Sequence, residues 1–176
     1  MSFLRRNLAN IVSLAGVLPL LLLYFEDGYL YIIPLIIFNN AMDDLDGILA
    51  AKLNIRSRFG ADLDNVCDAV AHVALALAVG VHYGGITLLM SAIAAAAVIL
   101  RATSRINPTA TSGGSPTNEL MRHLLFVLLL SAVFGFEPHL FLCIVFLLNT
   151  LSMSVPFKMG AMIRSQAKTA SRLCRY

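Results

Sequence analysis

The sequence predicts an all-α protein, an integral membrane bundle of six transmembrane helices with both termini on the cytoplasmic side. Three observations point there: an extreme composition, six separate apolar runs, and basic residues that all fall on one side of the resulting helix order. Of 176 residues, 59% are hydrophobic and 13% charged, with a mean hydropathy of +0.80. Soluble domains carry about 45–50% apolar and about 25% charged residues, so this chain has too little polar surface to cover itself in water. One bilayer-spanning helix takes ~20 apolar residues. Six of them use up the chain and leave a single domain, 1–176, with short connections. Disorder, a small stapled secreted domain and free life in the cytosol are excluded on the same ground. The net charge of +3 gives no case for nucleic acid as a partner.

The apolar runs cover about 8–25, 29–42, 66–81, 86–100, 120–134 and 138–157. The first follows Arg5 and Arg6 as a signal peptide would, but its stretch is too long and no small-residue cleavage site follows Tyr24-Phe25, so it counts as the first span. Runs two and three extend into the polar stretch 43–65. Turns fall at Glu26-Asp27-Gly28, at His82-Tyr83-Gly84-Gly85 and at Gly135-Phe136-Glu137-Pro138. The one long linker, 106–118, is rich in Ser, Thr, Gly and Pro, the composition of a loop. Ser115-Pro116 suits the start of helix 5, where the missing proline N–H is harmless. Cys67, Cys143 and Cys174 form no CxxC pair and are expected as reduced packing residues.

Six spans put all thirteen basic residues on one side: Arg5 and Arg6, then Lys52, Arg56 and Arg58, then Arg101, Arg105 and Arg122, then the five after helix 6. Lys/Arg asymmetry sets orientation, which makes that side cytoplasmic. The opposite turns hold Glu26, Asp27 and Glu137, with Tyr24, Tyr29, Tyr31 and Tyr83 as an aromatic belt.

Six of the ten acidic residues lie within 43–68: Asp43, Asp44, Asp46, Asp62, Asp64 and Asp68. At mid-bilayer each would cost ~2.5–3.5 kcal/mol, so they belong at the interface, in a wet cavity or around a cation. Asp43, Asp46, Gly47 and Ala50 recur at i, i+3, i+4 and i+7, one face of helix 2, and Gly60, Asp64 and Asp68 share one face of helix 3. A short connection makes these helices antiparallel neighbours, so the acidic faces can converge. Four carboxylates without histidine or thiolate suit a hard cation, Mg²⁺ or Mn²⁺. Small residues beside them leave room for a ligand, and two divalent ions there could polarise a phosphoryl centre. Asp44 and Asp62 fall off these faces and are expected to be solvated or capping.

The stretch D43-x-x-D46-G47-x-x-A50-A51, eight residues, G60-x-x-x-D64-x-x-x-D68 resembles the signature of the CDP-alcohol phosphotransferases, DxxDGxxAR-x8-GxxxDxxxD, at seven of eight fixed positions. The resemblance implies a membrane enzyme that displaces CMP from CDP-diacylglycerol or a similar CDP-linked lipid with the hydroxyl of a small polar alcohol. It implies Asp43, Asp46, Asp64 and Asp68 as metal ligands, Asp68 also as general base, and Gly47, Ala50 and Gly60 as space for the cytidine nucleotide. It further implies a homodimer in the cell membrane with its active site facing the cytoplasm. The departure is Ala51, where the family has arginine. Lys52 follows, ~100° away around the helix.

For the acceptor, Arg101, Arg105 and Arg122 are candidates to bind an anionic group, with His72, one turn beyond Asp68, as a further contact. Two short segments, LSMSVPFKM (151–159) and DNVCDAVAHV (64–73), are similar to the phosphatidylserine synthase branch, which makes serine the expected acceptor. Glycerol phosphate and inositol phosphate are the alternatives. Readings of other classes are a divalent-cation transporter and a catalytically silent relative that only binds nucleotide.

Overall fold

The computed structural model describes residues 7–55, 57–106 and 116–154. Expectations for Arg5, Arg6, Arg56, the 107–115 linker, Ser115 and everything beyond 154, Cys174 included, lie outside the described residues. Six α-helices follow one another: α1 Leu8–Val17, α2 Ile32–Lys52, α3 Arg58–Tyr83, α4 Gly85–Ile106, α5 Pro116–Phe134 and α6 His139–Ser154. The described residues contain no strand, so the all-α expectation holds.

Local chemistry explains the boundaries. Proline lacks the N–H that an α-turn needs and its ring crowds the carbonyl four residues back. At Leu18-Pro19 α1 accordingly tightens into a 3₁₀ segment, Leu18–Tyr24, and a second 3₁₀ turn, Gly28–Tyr31, leads into α2. The α2–α3 connection turns on Asn54 at φ 54°, a left-handed conformation that asparagine tolerates better than most residues. Ser57 then caps α3 by accepting the Gly60 N–H at 3.0 Å.

Helices α3 and α4 are separated by Gly84 alone. Gly84 and Gly85 take φ of +66° and +50°, which only glycine adopts freely. Their seam is close enough that a Cβ on Gly80 would fall 1.9 Å from Ser91 Oγ and 2.7 Å from Ser91 Cβ. The core, with Ile36, Leu75, Val98, Leu124 and Phe146 fully buried, is shared by α2 through α6. Outward faces are apolar too. Leu18, Leu100, Val133 and Phe134 are 65%, 71%, 75% and 73% exposed, more large apolar surface than a protein in water usually shows.

Two helices, Arg58–Tyr83 and Gly85–Thr103, are long and apolar enough to cross a membrane, while Leu8–Tyr24 and His139–Met153 are apolar but shorter. The bundle has two chemically different ends. At one, the connections meet through aromatic contacts: Tyr29 stacks on His82 at 4.6 Å, Tyr83 meets His139 edge-on at 5.3 Å, and His139 lies 3.4 Å from Glu137. At the other, Asn118 of α5 donates to Asp43 of α2, and Asn65 of α3 donates to the Ala102 carbonyl of α4 at 3.0 Å. The acidic residues sit at this second end.

Candidate active site

The acids reach one another because α2 and α3 both run past their apolar stretches as helix. Asp43 is on the third turn from the end of α2, and Asp64 and Asp68 are on the second and third turns of α3. Their carboxylates converge, with one oxygen of each within 4.8 Å of the others. Asp43 lies beyond the apolar run 29–42. Its carboxyl is held above the usual carboxylate range, chiefly by burial and then by Asp46 and Asp44, with the Asn118 hydrogen bond and the Arg122 charge pulling the other way. Three acids this close disfavour one another's ionised form. Oxygen donors alone are the set a hard divalent cation takes.

Asp46 has a different position. It is buried and accepts a hydrogen bond from the Ser13 hydroxyl of α1. It lines a cavity of about 230 Å³ between α1, α2 and α3, together with Gly47, Ala50, Gly60, Asp64 and, from α1, Asn10 and Ser13. Nothing stands within 4 Å of where a Gly47 Cβ would be, whereas a Gly60 Cβ would lie 3.0 Å from Asn10 Oδ1 and 3.1 Å from Ser57 Oγ. The three small residues expected to make room therefore border one cavity. Asp64 and Ala61 also line a second cavity of about 270 Å³, with Asp43, Asp68, Asn65 and Asn118. Of the three clustered acids Asp64 borders both cavities, while Asp43 and Asp68 border only the second.

The candidate acceptor residues are spread out. Arg122 is exposed on α5 within electrostatic reach of Asp43. Arg101 lines a separate cavity of about 580 Å³ between α4 and α6 with Thr150 and Met153. Arg105 falls on α4, and its side chain lies outside the described residues. His72 is 1% exposed, and its Nδ1 has no hydrogen-bond partner among the described residues. Ala51 and Lys52 are both exposed at the end of α2. Cys67 is a buried free thiol and Cys143 a half-buried one. Sequence reasoning gave no role to Asn10, Ser13, Asn65 or Asn118. The only available signal was their polarity beside apolar runs, which does not say which helix they will meet.

The model of the CDP-alcohol phosphatidyltransferase family matches residues 6–155, which include every helix and both cavities. The chain belongs to that family. A CDP-diacylglycerol–glycerol-3-phosphate 3-phosphatidyltransferase of Aquifex aeolicus (strain VF5) is 43% identical over 67 residues, covering 36% of this chain and 38% of the relative. The chain thus matches well under half of that relative's length. No solved structure is significantly similar to it.

Proposed function

We propose that this chain is a six-span membrane enzyme that moves a phosphatidyl group from a CDP-linked lipid to the hydroxyl of glycerol phosphate and releases CMP on the cytoplasmic side. The observation that carries it is the convergence of Asp43, Asp64 and Asp68 on one cavity, with Asp64 also lining the neighbouring cavity that Gly47, Ala50 and Gly60 border. The cavity bordered by Gly47, Ala50 and Gly60 would take the nucleotide, leaving the diphosphate against the carboxylates. Asp43, Asp64 and Asp68 would hold Mg²⁺ or Mn²⁺, with Asp46 next to Asp64 for a second ion. Divalent metal bound there would supply charge neutralisation for the diphosphate and for the departing CMP.

Asp68 would accept the proton of the incoming hydroxyl as that oxygen bonds to the β-phosphorus. The bond from the β-phosphorus to the bridging oxygen breaks, and the electron pair leaves with CMP. Arg122, beside Asp43 at the open end, is positioned to pair with a phosphate on the acceptor. The segments similar to the serine-using branch favour serine, while the Aquifex relative's name favours glycerol phosphate. A phosphorylated acceptor also makes better use of Arg122. The cytoplasmic placement of this end is supported by the thirteen basic residues and by the separation of the two ends of the bundle.

The deciding experiment is CMP release by the purified protein with CDP-diacylglycerol, Mg²⁺ or Mn²⁺, and glycerol 3-phosphate, serine or inositol phosphate in separate reactions. Release with glycerol 3-phosphate, abolished by chelator, is expected. Release with serine alone would move the acceptor assignment. Binding of the CDP-lipid without turnover would mark a silent relative, whose first suspect is Ala51. In the active protein Asp68→Asn should lower the rate by about 10²–10⁴-fold with the helical content unchanged.

A further inference from the structure

A cleft of about 650 Å³ opens between the 3₁₀ continuation of α1 and α3, running from Val70, just past Asp68, to the aromatic end of the bundle. Its α3 wall is the stripe Val70, Ala74, Leu77, Ala78 and Val81, whose two alanines create the width. Its opposite wall is apolar as well. The stripe from Val70 to Val81 measures about 16 Å at 1.5 Å per residue. That matches one leaflet, about half of the ~30 Å hydrocarbon core.

The mouth is built differently. Glu26 lines it beside the rings of Tyr29 and His82, which stack on each other at 4.6 Å, and no lysine or arginine is among the lining residues. A carboxylate and an aromatic face at the interface attract an ammonium group, by charge and by cation–π interaction, and repel a net anion.

We propose that this cleft binds a phospholipid of the leaflet opposite the active site, one acyl chain between α1 and α3 and an ammonium-bearing head group at Glu26 and Tyr29. The proposal rests on the six-span reading above, which puts this end of the bundle at the far interface. It does not depend on the chemistry at the acid cluster.

The test is native mass spectrometry of protein released from nanodiscs made of equal parts phosphatidylethanolamine and phosphatidylglycerol with identical chains. The wild-type protein is expected to retain one lipid, favouring ethanolamine about three- to tenfold, the ratio that a partly exposed cation–π and carboxylate contact gives. Ala78→Phe and Ala74→Leu, which fill the cleft, should remove the retained lipid. Glu26→Gln should keep a lipid but bring the two head groups to parity.

Retention by both filled variants at the wild-type level, a wild-type ratio near one, or a ratio unmoved by Glu26→Gln would overturn the proposal. So would a second copy of the chain in place of lipid, seen as a dimer that Ala78→Phe dissociates. If the filled variants do not fold, the head-group ratio in the wild type and in Glu26→Gln decides by itself. CMP release measured on the same preparations separates the outcomes: its absence counts against the catalytic assignment, and lost head-group preference counts against this one.

Discussion

Gly47 separates a structural role from a ligand-binding one. It sits inside α2, where glycine costs about 0.5–1 kcal/mol relative to alanine, and a Cβ there would meet nothing within 4 Å. Gly47→Ala should therefore raise thermal stability in detergent by up to that amount. If the cavity holds the nucleotide, the same substitution should raise the KM for the CDP-linked donor. A stabilised protein with unchanged KM would remove the cavity from the donor site. Ser13 poses the complementary question. Its hydroxyl donates to the buried Asp46 carboxylate, and loss of a hydrogen bond to a buried charged group costs about 1.5–3 kcal/mol. Ser13→Ala should lower the melting temperature and raise the Mg²⁺ or Mn²⁺ concentration needed for half-maximal rate, both read from metal titrations of melting and CMP release. At this scale the convergence of Asp43, Asp64 and Asp68 was legible from spacing. The partner of Asp46 was not, because helical periodicity says which residues share a face and nothing about which helix covers it.

Between elements, the tightest constraint is the α3–α4 seam. Helix α3 bears two of the clustered acids, so its position along α4 sets theirs. Gly80 lets the backbones approach until Ser91 fills the space a side chain would need, and Asn65 ties the acidic end of α3 to the Ala102 carbonyl. Gly80→Val forces the helices apart, and overpacking of this kind costs about 1–3 kcal/mol. The expected result is a lower melting temperature together with lower kcat, because Asp64 and Asp68 move relative to Asp43. A lower melting temperature with full kcat would show that the seam and the site are independent. The sequence marks all six helices by their apolar runs, and the helical spacing of Asp43–Ala50 and Gly60–Asp68 carries α2 and α3 on into the polar stretch. Helix α2 begins at Ile32 and continues to Lys52, ten residues past its apolar run, and α3 begins at Arg58, eight before its own. Hydrophobicity marks where a helix can be buried, whereas backbone hydrogen bonding and the Ser57 cap decide where it stops. The break of α1 into a 3₁₀ segment was likewise hidden within one continuous apolar run, although Pro19 was its local cause.

For the whole molecule, the decisive property is that its two ends differ. One gathers carboxylates, asparagines and basic residues, and the other gathers tyrosines, histidines and Glu137. A soluble bundle has no reason to sort its connections in this way, and its outward faces would not carry residues such as Leu100 and Val133 at 71% and 75% exposure. Charge sorting of this kind fixes orientation in a bilayer, which makes a sidedness prediction possible from two positions. Asp27 lies in the turn after the 3₁₀ continuation of α1 and Ser57 in the α2–α3 connection, and both are exposed. In a chain whose Cys67, Cys143 and Cys174 are replaced by alanine, Ser57→Cys should react with a membrane-impermeant maleimide only after the membrane is opened from the cytoplasmic side. Asp27→Cys should react in intact cells. Reaction of both from the same side would mean that α2, the α-helix between the two positions, does not cross, and the cavity proposed for the nucleotide, which needs α1, α2 and α3 side by side, would lose its place in a spanning bundle. The reversed pattern would put the acid cluster outside the cell, away from cytoplasmic CDP-linked lipid, and would remove the orientation on which the proposed transfer depends.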